Sequence, residues 1–354
     1  MKISVYAICK NESAFVSAWV RSMSEADEIV VLDTGSTDDS VDLLRSLGVK
    51  VERRLISPWR FDIARNISLS LVSPDTDICV CTDLDEVFEE GWREKLENAW
   101  LKGVTQARYN YIWSHEGKGV QFYGEKIHAY GFFEWIKPVH EVLKFTGKGK
   151  QKQVIAPITL HHYPDYTKPR SSYLPLLELA VKEDPNDDRS THYLGREYMF
   201  YAQYQKAIDT LLSHLSMPTA TWKDERSASL RYIGRCYQAM NNYQDAERYF
   251  AFSVMETPYL REGYIEYARL LFAQNSYNGC VFLLQKALEI NKRSLTYISE
   301  PFAWGEEPYD LLALSYYALG DYQNALKAGE RAVTINPTSR LIQNLEFYKS
   351  KAKE

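Results

Sequence analysis

The sequence predicts two domains of different class. Residues 1–168 read as an α/β domain with a mixed, mostly parallel sheet, and residues 169–354 as an all-α domain of helical repeats. Three observations predict this. Up to about residue 165, apolar runs of strand length alternate with helix-period segments, the rhythm of a parallel sheet. Two of those runs end in Asp33 and Asp83, at the strand ends where open α/β sheets hold ligands. Beyond about residue 170 only helical periodicity remains, and it repeats.

Taken in order, "ISVYAIC" (3–9) is a strand and "ESAFVSAWVRSM" (12–23) a helix. "EIVVLD" (28–33) is a buried strand. "GSTDDSVDLLRSLG" (35–48) is a helix: Ser36 or Thr37 can cap it, Asp38 and Asp39 suit its positive end, and Gly48 stops it. "VKVERR" is a third strand, "FDIARNISLSLV" a helix and "DICVCTD" a fourth strand. Residues 104–163 read as antiparallel strands rich in aromatics.

In the second half, a small residue recurs with a fixed set of followers. Gly234 is followed by Tyr237, Ala246, Phe250, Ser253 and Pro258. Gly195, Ala268 and Ala313 start partial copies, and "YLPLLELAVKEDP" reads as a half repeat. The anchors recur near the ~34-residue tetratricopeptide period. The widest gap is explained by an insertion, "RSLTYISEPFAWGEEP". Small residues let two helices approach and large ones fill the space between hairpins. A helical bundle with accidental matches is the plainer alternative, but four in-phase sets favour repeats. Such an array carries no chemistry itself and offers a surface to a peptide, to another part of the chain or to a second copy.

The chain has 354 residues, 45% apolar, with net charge −5. No bulk basic excess points to nucleic acid or an anionic membrane. Lys144, Lys148, Lys150 and Lys152 form a local exception, read as a solvated hairpin or loop. The N-terminus lacks a signal-peptide pattern, and no apolar run approaches the ~18 residues of a membrane span. The expectation is a soluble, cytoplasmic protein, with peripheral contact at the inner membrane face as a variant. Five scattered cysteines do not make a disulfide framework.

The chemistry gathers in the first half. Asp33, followed by a Gly-bearing turn, can accept from a base or ribose, or simply cap the next helix. In "DICVCTDLDEVFEEGW" three carboxylates, Asp83, Asp85 and Glu86, crowd one strand end. On extended chain Asp83 and Asp85 face the same side, so both can reach one cation. A calcium loop is excluded, because Phe88 stands where its tight-turn glycine is needed. Downstream lie His140 and Glu141 in "WIKPVHEVL", then His161 and His162. A histidine can be a ligand or a satisfied core residue. Adjacent histidines on a strand face opposite sides, so one of His161 and His162 faces the cleft.

The motifs "ICKNES", "VVLDTGSTDDS", "PWRFDIARN", "CTDLDE" and "WIKPVHEVL", in that order, make residues 1–165 resemble a glycosyltransferase family 2 domain of GT-A fold. Joined to tetratricopeptide repeats, the chain is similar to bacterial glycosyltransferases that include glycocin-type peptide S-glycosyltransferases. The resemblance implies an inverting transfer from a nucleotide-sugar, with UDP-hexose as the default donor and Mn²⁺ or Mg²⁺ as the ion. Glu12 and Asp33 would lie near the base and ribose. Asp62, Arg65 and Asn66 would line the nucleotide site. Asp83 would bind the ribose or the metal, Asp85 the metal, and His161 or His162 would complete its shell. Glu141 would be the general base, with His140 beside it. Relatives often place the base in a separate acidic motif with no clear copy here.

Two other functions compete. One is a tetratricopeptide scaffold with a degenerate transferase domain, opposed by the retained carboxylates. The other is a nucleotidyltransferase, opposed by the glycine-free "CKNESAF" after the first strand. The expected partners are a nucleotide-sugar and a peptide, protein or surface-glycan acceptor.

Overall fold

β-branched and apolar runs form the centre of the first half. Ile3–Cys9 (β1), Glu28–Asp33 (β2), Lys50–Arg53 (β3) and Ile78–Cys81 (β4) pair in parallel, in the order β3-β2-β1-β4. Helices Ser13–Met23 (α1), Ser40–Ser46 (α2) and Phe61–Ser70 (α3) follow β1, β2 and β3. The computed structural model describes residues 1–113, 120–165 and 173–353. These divide into two compact units, Met1–Ala180 and Val181–Glu354. The boundary expected between 168 and 169 lies outside the described residues.

α1 buries Val16, Trp19 and Met23, spaced three and four apart on one face, against the sheet. α2 is shorter than expected. The Asp33 carboxylate takes the N–H groups of Gly35 and Ser36, and Asn11 takes that of Thr37. The residues read as helix caps therefore hold a turn, and the helix begins only at Ser40. Gly48 closes it in the left-handed region (φ 82°).

Glu86–Phe88 (β5), Trp92–Ala99 (α4), Gln106–Trp113 (β6), Val120–Ala129 (β7), Phe133–Ile136 (β8), Val142–Phe145 (β9) and Gln153–His162 (β10) complete the unit. The eight-stranded sheet continues from β4 through β7, β6, β10 and β5. β7 is antiparallel to both β4 and β6, and β5 to β10. β10, however, runs parallel to β6, which corrects the all-antiparallel expectation. The chain leaves β6 along β7, makes the separate β8–β9 ribbon, and returns beside β6 in the same direction, a crossover that successive hairpins would not produce. Gly131, in the left-handed region (φ 75°), separates β7 from β8. The core lies on the α1/α4 face, around Val5, Trp19, Val80, Leu96, Ile127 and Leu160.

Tyr173–Glu183 (α5) crosses the division. Beyond it Asp188–Phe200 (α6), Tyr204–Ser216 (α7), Lys223–Ala239 (α8), Tyr243–Glu256 (α9), Arg261–Ala273 (α10), Tyr277–Glu289 (α11), Glu307–Ala318 (α12), Tyr322–Ile335 (α13) and Ser339–Lys351 (α14) pack in sequence order. The small anchors do what the pattern requires. A Cβ on Gly195 would stand 2.5 Å from the Leu211 side chain, and one on Gly234 2.6 Å from the Phe250 ring. Ala246, Ala268, Ala313 and Ala325 are fully buried. The insertion between α11 and α12 is not loose. Ile298 and Ala303 are buried, Glu300 accepts from Arg231 and Arg235 of α8, and Trp304 Nε1 donates to Glu262 of α10 (3.1 Å). The insertion thus covers part of two successive first-of-pair helices. No helix among the described residues is long and apolar enough to cross a membrane.

Candidate functional site

The loops after β1 and β2 are tied together. Asn11, in the left-handed region (φ 55°), donates its N–H to Ser36 Oγ (2.9 Å) and accepts from the Thr37 N–H (2.7 Å). Glu12 donates its backbone N–H to Ser40 Oγ (2.7 Å) and is half-buried. Asp33 is fully buried at the end of β2, where the turn N–H groups and Arg53 Nε (3.2 Å) surround its carboxylate. Glu12 and Asp33 therefore stand on neighbouring loops at one sheet edge, held by Asn11.

α3 supplies three expected residues with three different employments. Asp62 receives Arg60 through two bonds (3.0 and 2.8 Å). Asn66 holds β8: its amide donates to Trp135 O (2.8 Å) and accepts from the Trp135 N–H (2.9 Å). Arg65, 3% exposed, bridges two carboxylates, donating to Asp83 (2.6 Å) and to Glu141 (2.8 Å). The indole of Trp135 lies under its guanidinium, 5.5 Å from carbon to ring centre.

The acidic cluster departs from the extended geometry expected of it. β4 ends at Cys81, and Asp83 to Asp85 form a turn closed by the Glu86 N–H on Asp83 O (3.1 Å). Leu84 is buried in the core between them, so the two aspartates have separate partners. Asp83 is met by Arg65 and by Lys126 of β7 (2.9 Å). Lys126 also reaches Glu86 (3.2 Å), whose other donors are the Tyr111 hydroxyl (3.0 Å) and the Asp83 N–H (2.8 Å). The carboxylate repulsion legible in the sequence is thus offset largely by two protein cations.

The electrostatics follow. Burial opposes charge on Asp83, but Arg65 and Lys126 overcome it and hold the carboxyl well below the usual range. Burial, with Asp83 and Asp85 nearby, pushes Glu86 up against the pull of Lys126. Burial likewise opposes the Lys126 ammonium, yet Asp83 and Glu86 keep it charged.

Asp85 has a different partner. His162 Nε2 lies 3.1 Å from Asp85 Oδ2, whereas His161 Nε2 meets the exposed Glu89 (3.0 Å). Of the adjacent histidines, His162 belongs to the cluster and His161 does not. Burial disfavours the His162 imidazolium, but the Asp85 contact and the nearby Glu86 and Asp83 win and raise it. Its Nδ1 is buried without a hydrogen-bond partner. Glu141 sits beside the cluster through Arg65. His140, at φ 49°, is strained into the left-handed region next to it and packs 5.8 Å from the Tyr173 ring.

Lys126 and Tyr111 were not foreseen. The signal for Lys126 was a lone ammonium two residues before a buried histidine in the strand "VQFYGEKIHA". Behind it a donor chain runs through the core: Trp135 Nε1 donates to Tyr6 Oη (2.8 Å), Tyr6 to His128 Nε2 (2.8 Å), and His128 Nδ1 to Ala129 O (3.0 Å). Tryptophan can only donate, which sets the direction of every later bond.

Comparison with known proteins places these observations. Residues 4–155 match the family model "Glycosyl transferase family 2", and residues 306–339 match "Tetratricopeptide repeat". An uncharacterized glycosyltransferase of Rickettsia conorii is 44% identical over 98 residues, 27% of this chain and 33% of the relative. The lipopolysaccharide core biosynthesis glycosyltransferase LpsC of Rhizobium meliloti is 31% identical over 99 residues, 27% of this chain and 36% of the relative. The alignments therefore span about a third of these relatives. Among solved structures, glucosyl-3-phosphoglycerate synthase from Mycobacterium tuberculosis, in complex with Mn²⁺, UDP and glucosyl-3-phosphoglycerate, is 27% identical over 31% of this chain and 44% of its own, with TM-score 0.28.

Proposed function

With residues 4–155 a glycosyl transferase family 2 domain of GT-A fold, joined to tetratricopeptide repeats, we propose that the chain is a cytoplasmic, divalent-metal-dependent, inverting glycosyltransferase. It moves a hexose from a UDP-sugar to a peptide, protein or surface-glycan acceptor. The observation that carries this reading is the Asp85–His162 pair, 3.1 Å apart at the sheet edge beside Asp83.

The donor set fits an ion. A carboxylate oxygen and an imidazole nitrogen 3.1 Å apart suit Mn²⁺. Asp85 and His162 would hold the ion. When bound, it supplies a Lewis acid that neutralises the departing diphosphate. Asp83, kept ionised by Arg65 and Lys126, accepts from the ribose, while Glu12 and Asp33 line the base and ribose side and Asp62 and Asn66 shape its wall. Glu141, fixed by Arg65, takes the acceptor's proton, and His140 orients that acceptor. One displacement from the opposite face inverts the anomeric centre, with no covalent intermediate.

The insertion covers part of the repeat surface, so acceptor recognition by the repeats uses the surface it leaves open. The test is a donor-hydrolysis screen across sugar nucleotides with Mn²⁺ or Mg²⁺, with Asp85→Ala as control. Hydrolysis of one UDP-sugar that vanishes in the variant supports the reading. Full metal-dependent activity in Asp85→Ala would sink the site assignment. Absence of binding to any nucleotide would favour the scaffold alternative.

A further inference from the structure

The repeat unit contains a second cluster of ligand-type side chains that the transferase reading does not use. Asp188 at the start of α6, His214 near the end of α7 and Glu225 in the first turn of α8 bring one donor atom each within 4.8 Å of one another. His214 is fully buried and Glu225 is 2% exposed. His214 Nε2 lies 3.5 Å from Glu225 Oε1 and makes no hydrogen bond.

The other nitrogen of His214 is held as well. Ser229 Oγ stands between His214 Nδ1 (2.9 Å) and His192 Nδ1 (2.7 Å), so it accepts from one ring and donates to the other. Ser229 can accept from His214 Nδ1–H or donate to that nitrogen; when it accepts, the Nε2 lone pair faces a buried carboxylate oxygen, an arrangement that a cation between them makes favourable. This is the tautomer that metal-bound histidines adopt, fixed by a hydrogen bond on the other nitrogen. The far carboxylate oxygen, Glu225 Oε2, is already engaged by the Tyr297 hydroxyl of the insertion and lies 3.4 Å from Arg189 Nε. That leaves Oε1 turned to His214.

We propose that Asp188, His214 and Glu225 form a structural site for a zinc-class divalent ion. One imidazole and two carboxylates suit Zn²⁺ rather than Mg²⁺ or Ca²⁺. Metal–ligand distances of ~2.1 Å imply donor separations of ~3.4 Å in a tetrahedron, a contraction the Asp188 side chain at the helix start can supply. The ion joins α6, α7 and α8, and through Glu225 and Tyr297 it fastens the insertion to the first repeats.

The test uses the full chain, stripped with chelator and titrated with Zn²⁺ alone against a chromogenic indicator. Asp85→Ala/His162→Ala serves as a background lacking the proposed transferase ion. We expect about one equivalent of Zn²⁺ to persist in that background and to be weakened at least ~10-fold by Asp188→Asn, since loss of a ligand exceeds the ~10–100-fold cost of losing a ligand's hydrogen-bond partner. His214→Gln should abolish it. Asp188 is half-buried, so Asp188→Asn decides alone if the His214 variant does not fold. No zinc in the double-variant background, or unchanged affinity in Asp188→Asn, would overturn the site. Neither outcome bears on sugar transfer.

Discussion

Replacing Lys126 by Met keeps the aliphatic stem and removes the ammonium that serves two carboxylates. Nζ lies 2.9 Å from Asp83 and 3.2 Å from Glu86. At an effective dielectric of ~20 each contact is worth roughly 5 kcal/mol before desolvation is subtracted. Deleting one partner of a buried pair costs about 3–5 kcal/mol. The lower end applies here: Lys126 is 26% exposed, Arg65 still serves Asp83, and Glu86 can take up a proton. A loss of about 3 kcal/mol in a unit of this size lowers the melting temperature by roughly 6–12 °C. The assay is thermal unfolding followed by circular dichroism, at pH 7.5 and pH 5. Removing Lys126 raises the folded-state pKa of Glu86 further, so the folded protein binds more protons and stability falls as pH rises. The deficit should therefore be smaller at pH 5, and Lys126→Arg should restore most of it. A melting temperature within 2 °C of wild type at pH 7.5 would refute the claim that protein cations offset the acidic cluster.

Other outcomes follow from the same geometry. His128 stays neutral in the folded protein down to about 4, because burial disfavours its charged form, whereas the unfolded chain titrates near ~6.5. The unfolded state then binds more protons between those values. Stability should fall by up to about 3 kcal/mol as pH drops through that window, and a denaturant series on His128→Gln should show a flatter profile. Gly234→Ala should destabilise by about 1–3 kcal/mol, despite the better helix propensity of alanine, because its Cβ would meet the Phe250 ring at 2.6 Å; a chemical-denaturation midpoint at or above wild type contradicts this. His162→Ala should weaken Mn²⁺-dependent donor binding at least ~10-fold while His161→Ala leaves it within about twofold, because only His162 meets Asp85; calorimetry with equal losses in both would remove the distinction.

The parallel strands, the helix after β1 and the repeat anchors were legible because one periodicity dominates each. The fourth strand ended where an apolar run ended, near Asp83. What the sequence could not carry was partner identity. "CTDLDE" reads as carboxylates in need of a cation, but Lys126 and Arg65, from separate elements, are only brought there by β7 and α3. Asn66 sits in a motif resembling a nucleotide-binding helix, yet its amide holds the β8 backbone, a contact between residues 69 positions apart. The α2 start was misread because Asp33, Ser36 and Thr37 all favour caps locally, and Asn11 from a neighbouring loop decides between them. β6 and β10 were assigned antiparallel because local signals cannot see a crossover. The choice between His161 and His162 was one of register, which strand β5 resolves by pairing His162 with Glu86 and His161 with Val87.

The measurement closest to the central claim is calorimetric binding of UDP to the full chain with and without Mn²⁺, in wild type and Asp85→Ala. The account predicts that wild-type affinity rises at least ~10-fold with Mn²⁺ and that Asp85→Ala loses this enhancement while keeping its fold. Mn²⁺ enhancement of equal size in both proteins, or no UDP binding in either, would contradict it.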